Sequence, residues 1–153
     1  MLKNNIEKYI DILESLPKNE LKSPDGSEIS DVGEIHRIYF GDESELSKEE
    51  KKHRQITDKN EKKKLVFLSN LTNDEFYLLY NAFDLGKSYY AGKDSLESDI
   101  RAFGGEEKLI QENLEVIKNR FTKETGIDQL TGNIDRLVID SLNGYIERFM
   151  WSV

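Results

Sequence analysis

The sequence predicts an all-α fold, a single compact bundle of about six or seven helices formed by residues 1–153. Two observations carry this. Apolar residues recur at spacings of three and four along most of the chain, the period of one helix face. Ser or Thr followed three residues later by Glu, the capping-box signature of a helix start, stands at Ser47/Glu50 and Thr72/Glu75. Leu, Ile, Val and Phe make up 43 of the 153 residues, about 28% and above the roughly 20% below which a charged chain stays disordered. A chain of this length reads as one domain with a real core.

The first helix is read from Ile6, Tyr9, Ile10, Leu13 and Leu16, with Glu7, Lys8, Asp11 and Glu14 on the other face. Pro17 ends it. Residues 17–31 form a loop, because Pro24 fixes φ and Gly26 offers a positive φ in Ser23-Pro24-Asp25-Gly26. From Asp31, Val32, Ile35, Ile38 and Tyr39 again have helical spacing, although Ile38-Tyr39-Phe40 reads equally well as a short strand. Ser47 opens a charged surface helix, and Asp58 with Glu61 repeats the start signal ahead of Leu65, Val66 and Leu68.

The clearest local signal follows. Thr72 and Glu75 form the capping box, Leu71 and Phe76 flank it as a hydrophobic staple, and Leu79, Tyr80 and Phe83 mark the buried stripe. Gly86 is read as the helix C-cap and 86–95 as a loop carrying Tyr89 and Tyr90. A short helix with Leu96, Ile100 and Phe103 ends at Gly104-Gly105. Glu106–Thr125 is read as a helix of about 20 residues, roughly 30 Å long, stopped by Gly126. The last helix is expected to start at Asn133 and to bury Ile134, Leu137, Val138, Leu142, Tyr145, Ile146 and Phe149. No repeat and no low-complexity segment interrupts the pattern.

Several patterns resemble chemistry without supplying it. Gly86-Lys87-Ser88 looks like the end of a phosphate-binding loop, but position 81 is Asn where the loop's first glycine belongs, and a helix precedes it instead of a strand. Asp25-Gly26 lacks the leading carboxylate of a calcium loop. His36 and His53 stand 17 residues apart without cysteine, so no zinc set forms. No nucleophile motif is present, and 30 acidic residues make chance carboxylate pairs inevitable. No catalytic residue, metal or cofactor is therefore assigned. The chain has no cysteine, which fits a reducing cytoplasm, and shows neither a secretion signal nor an apolar run of about 18 residues that would enter a membrane.

Charge is unevenly spread over a net −8. Residues 1–50 hold six basic and thirteen acidic side chains, whereas 51–65 hold seven and two. The basic island contains Lys51, Lys52, Arg54, Lys59, Lys62, Lys63 and Lys64, residues able to grip phosphates, though no aromatic is interleaved for base stacking. A solvated helix face is the plainer reading. The acidic remainder suits a basic protein groove, where charge complementarity speeds encounter and sets specificity. Tyr89 and Tyr90, with Asp94 and Glu97 just beyond, are the candidate partner-binding residues, since tyrosine offers large contact area at little entropic cost. Packing over a helix junction competes with that role.

The stretch Phe67-Leu68-Ser69-Asn70-Leu71-Thr72-Asn73-Asp74-Glu75, leading into an apolar helix and Gly86, resembles a family of small bacterial helical domains of unknown function, and Leu130-Thr131-Gly132 to Phe149 is similar in position. The resemblance covers about half of the chain and implies the helical fold without naming active residues. In being short, acidic and free of cysteine, the chain is also similar to small phage and bacterial proteins that bind and block another protein. The functional expectation is a non-enzymatic protein-binding module, an inhibitor of a bacterial effector such as a defence nuclease (a CRISPR effector, for example) or a toxin. The alternative is an RNA- or DNA-associated regulator working through residues 51–64, and a third reading is a carboxylate-based enzyme.

Overall fold

The structure is a computed structural model that describes residues 1–16, 40–42, 44 and 46–150. Among them the fold is all-α, with seven α-helices and no strand: α1 (Leu2–Ser15), α2 (Lys48–Asn70), α3 (Asn73–Ala91), α4 (Lys93–Phe103), α5 (Glu106–Arg120), α6 (Lys123–Thr131) and α7 (Asp135–Tyr145), which continues as a π-helical turn at Ile146–Met150. The expected 17–31 loop and the element from Asp31 lie outside the described residues. Of the 38–40 stretch only Phe40 is described, and its backbone is helical.

The chain divides into two compact units, Met1–Ser15 with Lys64–Val153, and Leu16–Lys63. In the first, α3 is the central helix, packed by α1, α4, α5, α6 and α7. Its start follows from local sequence: the Thr72 hydroxyl accepts the Glu75 N–H at 3.1 Å while the Glu75 carboxylate accepts the Thr72 N–H at 2.9 Å, so two backbone donors that a helix start leaves free are satisfied. The core comprises Ile6, Tyr9, Leu68, Phe76, Leu79, Leu96, Leu130, Val138 and Leu142, all fully or almost fully buried.

Gly86 does not end the helix. It is buried in α3 where α7 crosses, and a Cβ there would stand 1.7 Å from the Ser141 carbonyl oxygen. Gly144 faces it from α7, with the Gly86 carbonyl oxygen 3.4 Å from where its own Cβ would be. The chemistry of small size, not of positive φ, explains this glycine. Residues 86–95 are accordingly not a loop: α3 runs on to Ala91, Gly92 alone is non-helical, and α4 begins at Lys93. Among the described residues Gly104 and Gly105 are the positive-φ glycines, at 92° and 129°, and they do end α4 as expected. Phe103 just before them is exposed, contrary to its place in the expected apolar stripe.

The helix expected over Glu106–Thr125 is two helices. Phe121 takes an extended conformation, φ −154° and ψ 158°, and the Thr122 hydroxyl caps α6 by accepting the Thr125 N–H at 3.3 Å. The break is fixed from α3: the Tyr77 hydroxyl donates to the Phe121 carbonyl at 2.9 Å, and the Tyr80 and Phe121 rings meet edge to face at 4.8 Å. Gly126 lies inside α6, where its missing side chain makes room for the Phe76 ring. Lys123, the first residue of α6, donates to the carbonyls of Ser69 and Leu71 at the end of α2, a cation placed where the helix dipole is negative.

α7 is capped by Ile134 and not by Asn133, whose amide turns back to donate to Gln129 at 2.7 Å. Ile134 is consequently exposed, against expectation, and Leu137, Ile146 and Phe149 are only half-buried. Between α3 and α5 runs a polar network: the buried Asn81 amide donates to the Ile110 carbonyl at 3.1 Å, and the Asn113 amide donates to Asn81 Oδ1 at 2.6 Å and Asp84 Oδ2 at 3.1 Å.

In the second unit, the Ser47/Glu50 capping box is present, with bonds of 2.9 and 3.1 Å, and opens α2. Asp58 starts nothing; α2 continues through it. No Gly or Pro interrupts Lys48–Asn70, and extending an existing helix avoids the steep penalty of nucleating a new one.

Candidate functional site

The expected aromatic and acidic site falls at the α3–α4 junction, where a one-residue link at Gly92 leaves the chain little freedom. Gly92 caps α3 by donating its N–H to the Ser88 carbonyl at 3.0 Å, and its own carbonyl accepts the Leu96 N–H of α4 at 3.1 Å. Both tyrosines are thus on a rigid helix end and not in a loop.

Their roles separate. Tyr89 is half-buried; its ring lies 3.2 Å from where a Gly144 Cβ would be, and the Lys93 ammonium sits 5.0 Å from the ring centroid. It packs over a helix junction. Tyr90 is 64% exposed, and Asp94, beyond the Gly92 link in the first turn of α4, is exposed as well. Glu97 is taken up structurally: Arg148 grips it through Nε at 2.5 Å and Nη2 at 3.0 Å and also holds Glu106. This two-carboxylate clamp ties the π-helical turn to α4 and to the start of α5. The arginine's hydrogen bonds hold the Glu97 carboxyl below the ordinary glutamate value, and the carboxylates hold the guanidinium above its own. Arg148 and Lys93 are absent from the sequence-derived site, and only the fold brings them to it.

The basic island is split by folding. Lys64 is only 4% exposed, its ammonium 2.6 Å from Asp135 Oδ1, so it is a buried fastener between α2 and α7 and no longer a phosphate-binding candidate. Arg54 donates to the Gly41 carbonyl at 2.8 Å, which occupies part of its guanidinium. Lys51 is half-buried, and Lys52, Lys62 and Lys63 are exposed.

No protein-family model, curated protein or solved structure matches the chain.

Among the described residues no three His, Cys, Asp or Glu side chains stand together as a metal set, and no helix is long and apolar enough to cross a membrane. Tyr80 and Tyr145 have hydroxyl pKa values raised above 10.0 chiefly by burial, with Asp84 and Glu106 adding negative potential. Such phenols stay protonated at neutral pH and act as packing and hydrogen-bonding groups. Tyr80 donates to Gln129 Oε1 at 3.0 Å. The arrangement offers exposed groups suited to binding: Tyr90 near the end of α3, Asp94 in the first turn of α4, and the lysines of α2.

Proposed function

We propose that the chain is a non-enzymatic protein-binding module that presents an acidic, aromatic surface to a basic groove on another protein. The carrying observation is Tyr90, a large aromatic exposed near the end of α3, with the exposed Asp94 carboxylate four residues on, across the Gly92 link and in the α4 that Arg148 clamps through Glu97. A rigid exposed tyrosine is what binding hot spots use, because little conformational freedom remains to be lost on docking. The surrounding unit supports the sign of the partner: residues 1–15 and 64–153 hold twelve basic and eighteen acidic side chains. A bacterial effector, a defence nuclease or a toxin, is the partner class in keeping with the compositional similarity to small phage and bacterial inhibitors. The cytoplasm is the compartment in keeping with the absence of cysteine.

The test is capture from nuclease-treated bacterial lysate by the wild-type chain and by a Tyr90→Ala/Asp94→Lys variant, followed by mass spectrometry and a titration with the purified candidate. A partner held by the wild type and weakened at least tenfold by the variant is expected. Identical capture by both proteins would overturn the reading.

A further inference from the structure

The uninterrupted course of α2 does something to the basic island that its order in the sequence does not show. At 3.6 residues per turn, Lys48, Lys52, Lys59, Lys62 and Lys63 fall within a sector roughly 100° wide, and along the axis they span about 22 Å. All five are exposed. No ion pair among the described residues uses any of them. Glu49 and Asp58 flank this sector without entering it. The other side of the helix is the occupied one: Glu50 and Arg54 hold the bonds given above, and His53, Thr57, Asn60 and Glu61 are each engaged in interactions.

A solvated helix face gains stability when Glu and Lys alternate at spacings of three and four, and like charges at those spacings work against the helix. Here the like-charged neighbours are Lys48 with Lys52, and Lys59 with Lys62 and Lys63, against two opposite-charge pairs with the flanking acids, Glu49 with Lys52 and Asp58 with Lys62. The face is therefore poorly arranged for its own helix and well arranged for a row of negative charges. It carries no aromatic or amide fork except Gln55, so it has no means of stacking on bases and scarcely any of reading their edges. A duplex strand places a phosphate about every 3.4 Å, so the face spans about six phosphates of one strand.

We propose that the lysine face of α2 is a docking surface for the phosphate backbone of a nucleic-acid duplex, bound without regard to base sequence. This binding stands or falls independently of any binding at Tyr90. The acidic net charge sets the character of the binding: at physiological salt, charges farther away than roughly 8 Å are largely screened, so a strand in contact with the lysines feels them, whereas approach from a distance gains nothing. The complex is weak, short-ranged and steeply dependent on salt.

The experiment is a fluorescence-anisotropy titration of the full-length chain against a labelled duplex of about 20 base pairs and arbitrary sequence, at several KCl concentrations. With about five phosphates neutralised, raising salt from about 50 to about 200 mM should weaken binding about five hundredfold. A Lys59→Glu/Lys62→Glu/Lys63→Glu variant should bind at least tenfold more weakly with a flatter salt slope, while the corresponding Lys→Arg variant keeps both affinity and slope. A Lys48→Gln/Lys52→Gln variant, at the other end of the face, should flatten the slope by about two, which keeps the test decisive if the triple reversal does not fold. Absence of wild-type binding at about 50 mM KCl, an unchanged slope in the folded variants, or competition by poly-glutamate equal to that by unlabelled duplex would each overturn the proposal.

Discussion

The crossing of α3 and α7 and the outer face of α2 place opposite demands on their residues. At the crossing, shape decides: Gly86 and Gly144 let two backbones approach until a single added carbon would overlap the Ser141 carbonyl, and close-packed interiors have no slack to absorb it. On the α2 face packing imposes nothing; the lysines are exposed, and like charges meet at three of their helical spacings against two pairs with Glu49 and Asp58. The contrast separates residues selected by packing from residues whose arrangement packing does not explain. A residue that opposes its own helix is where binding is to be sought.

The largest expected effect lies at the crossing. Gly86→Ala should destabilise by about 4 kcal/mol, above the usual overpacking cost of about 1–3 kcal/mol, because backbone atoms cannot rotate out of the way; denaturant unfolding checks it, and a near-neutral result would mean the helices part easily. Leu142→Ala, beside that crossing and fully buried, should cost about 3 kcal/mol by the same measurement. Thr72→Ala removes the capping hydroxyl of α3 and should cost about 1 kcal/mol.

Smaller still is a dependence on acid. The Glu75 and Glu97 carboxyls lie below their ordinary value of 4.5, Glu75 held there by the Thr72 backbone and side chain and Glu97 by Arg148. Groups with lowered folded values stabilise fully above about 4.5 and lose that contribution as the pH falls through the lowered values. Stability measured from pH 6 downward should decline on that limb, and Arg148→Ala should flatten the part due to Glu97. On the α2 face the comparison predicts a change of sign: Lys59→Glu puts a carboxylate one turn ahead of Lys62 and Lys63 and should stabilise by about 0.5 kcal/mol. A loss of stability there would show that the lysines serve the helix after all.

Helix starts were the most legible part of the fold where their signal is local and reciprocal. Thr72 with Glu75 and Ser47 with Glu50 act over three residues, and both boxes form. Asp58 with Glu61 has the same pattern and starts nothing, because no break precedes it. The Thr122 cap has no reciprocal signature in the sequence, because Thr125, not Glu, stands three residues on. Glycine is illegible where it acts by size: Gly86 faces the Ser141 carbonyl and Gly126 the Phe76 ring, each supplied by a residue some fifty positions away. The candidate site divides in the same way. Tyr90 and Asp94 are on the surface as expected, but Tyr89 is engaged by Gly144 and Lys93, Glu97 by an arginine 51 residues away, and Lys64 by an aspartate 71 residues away.

The Asn81–Asn113–Asp84 network has a consequence for how α5 is seated on α3. Two helices joined only through leucine and isoleucine can slip along one another, since one apolar notch accepts a side chain much as the next one does. Asn81 removes that latitude. Its donor meets one carbonyl, at Ile110, and its acceptor meets one amide, at Asn113; a slip of a single turn, about 5.4 Å, would strand both inside the protein. The amide pair works as a detent, admitting one axial setting and rejecting the adjacent ones.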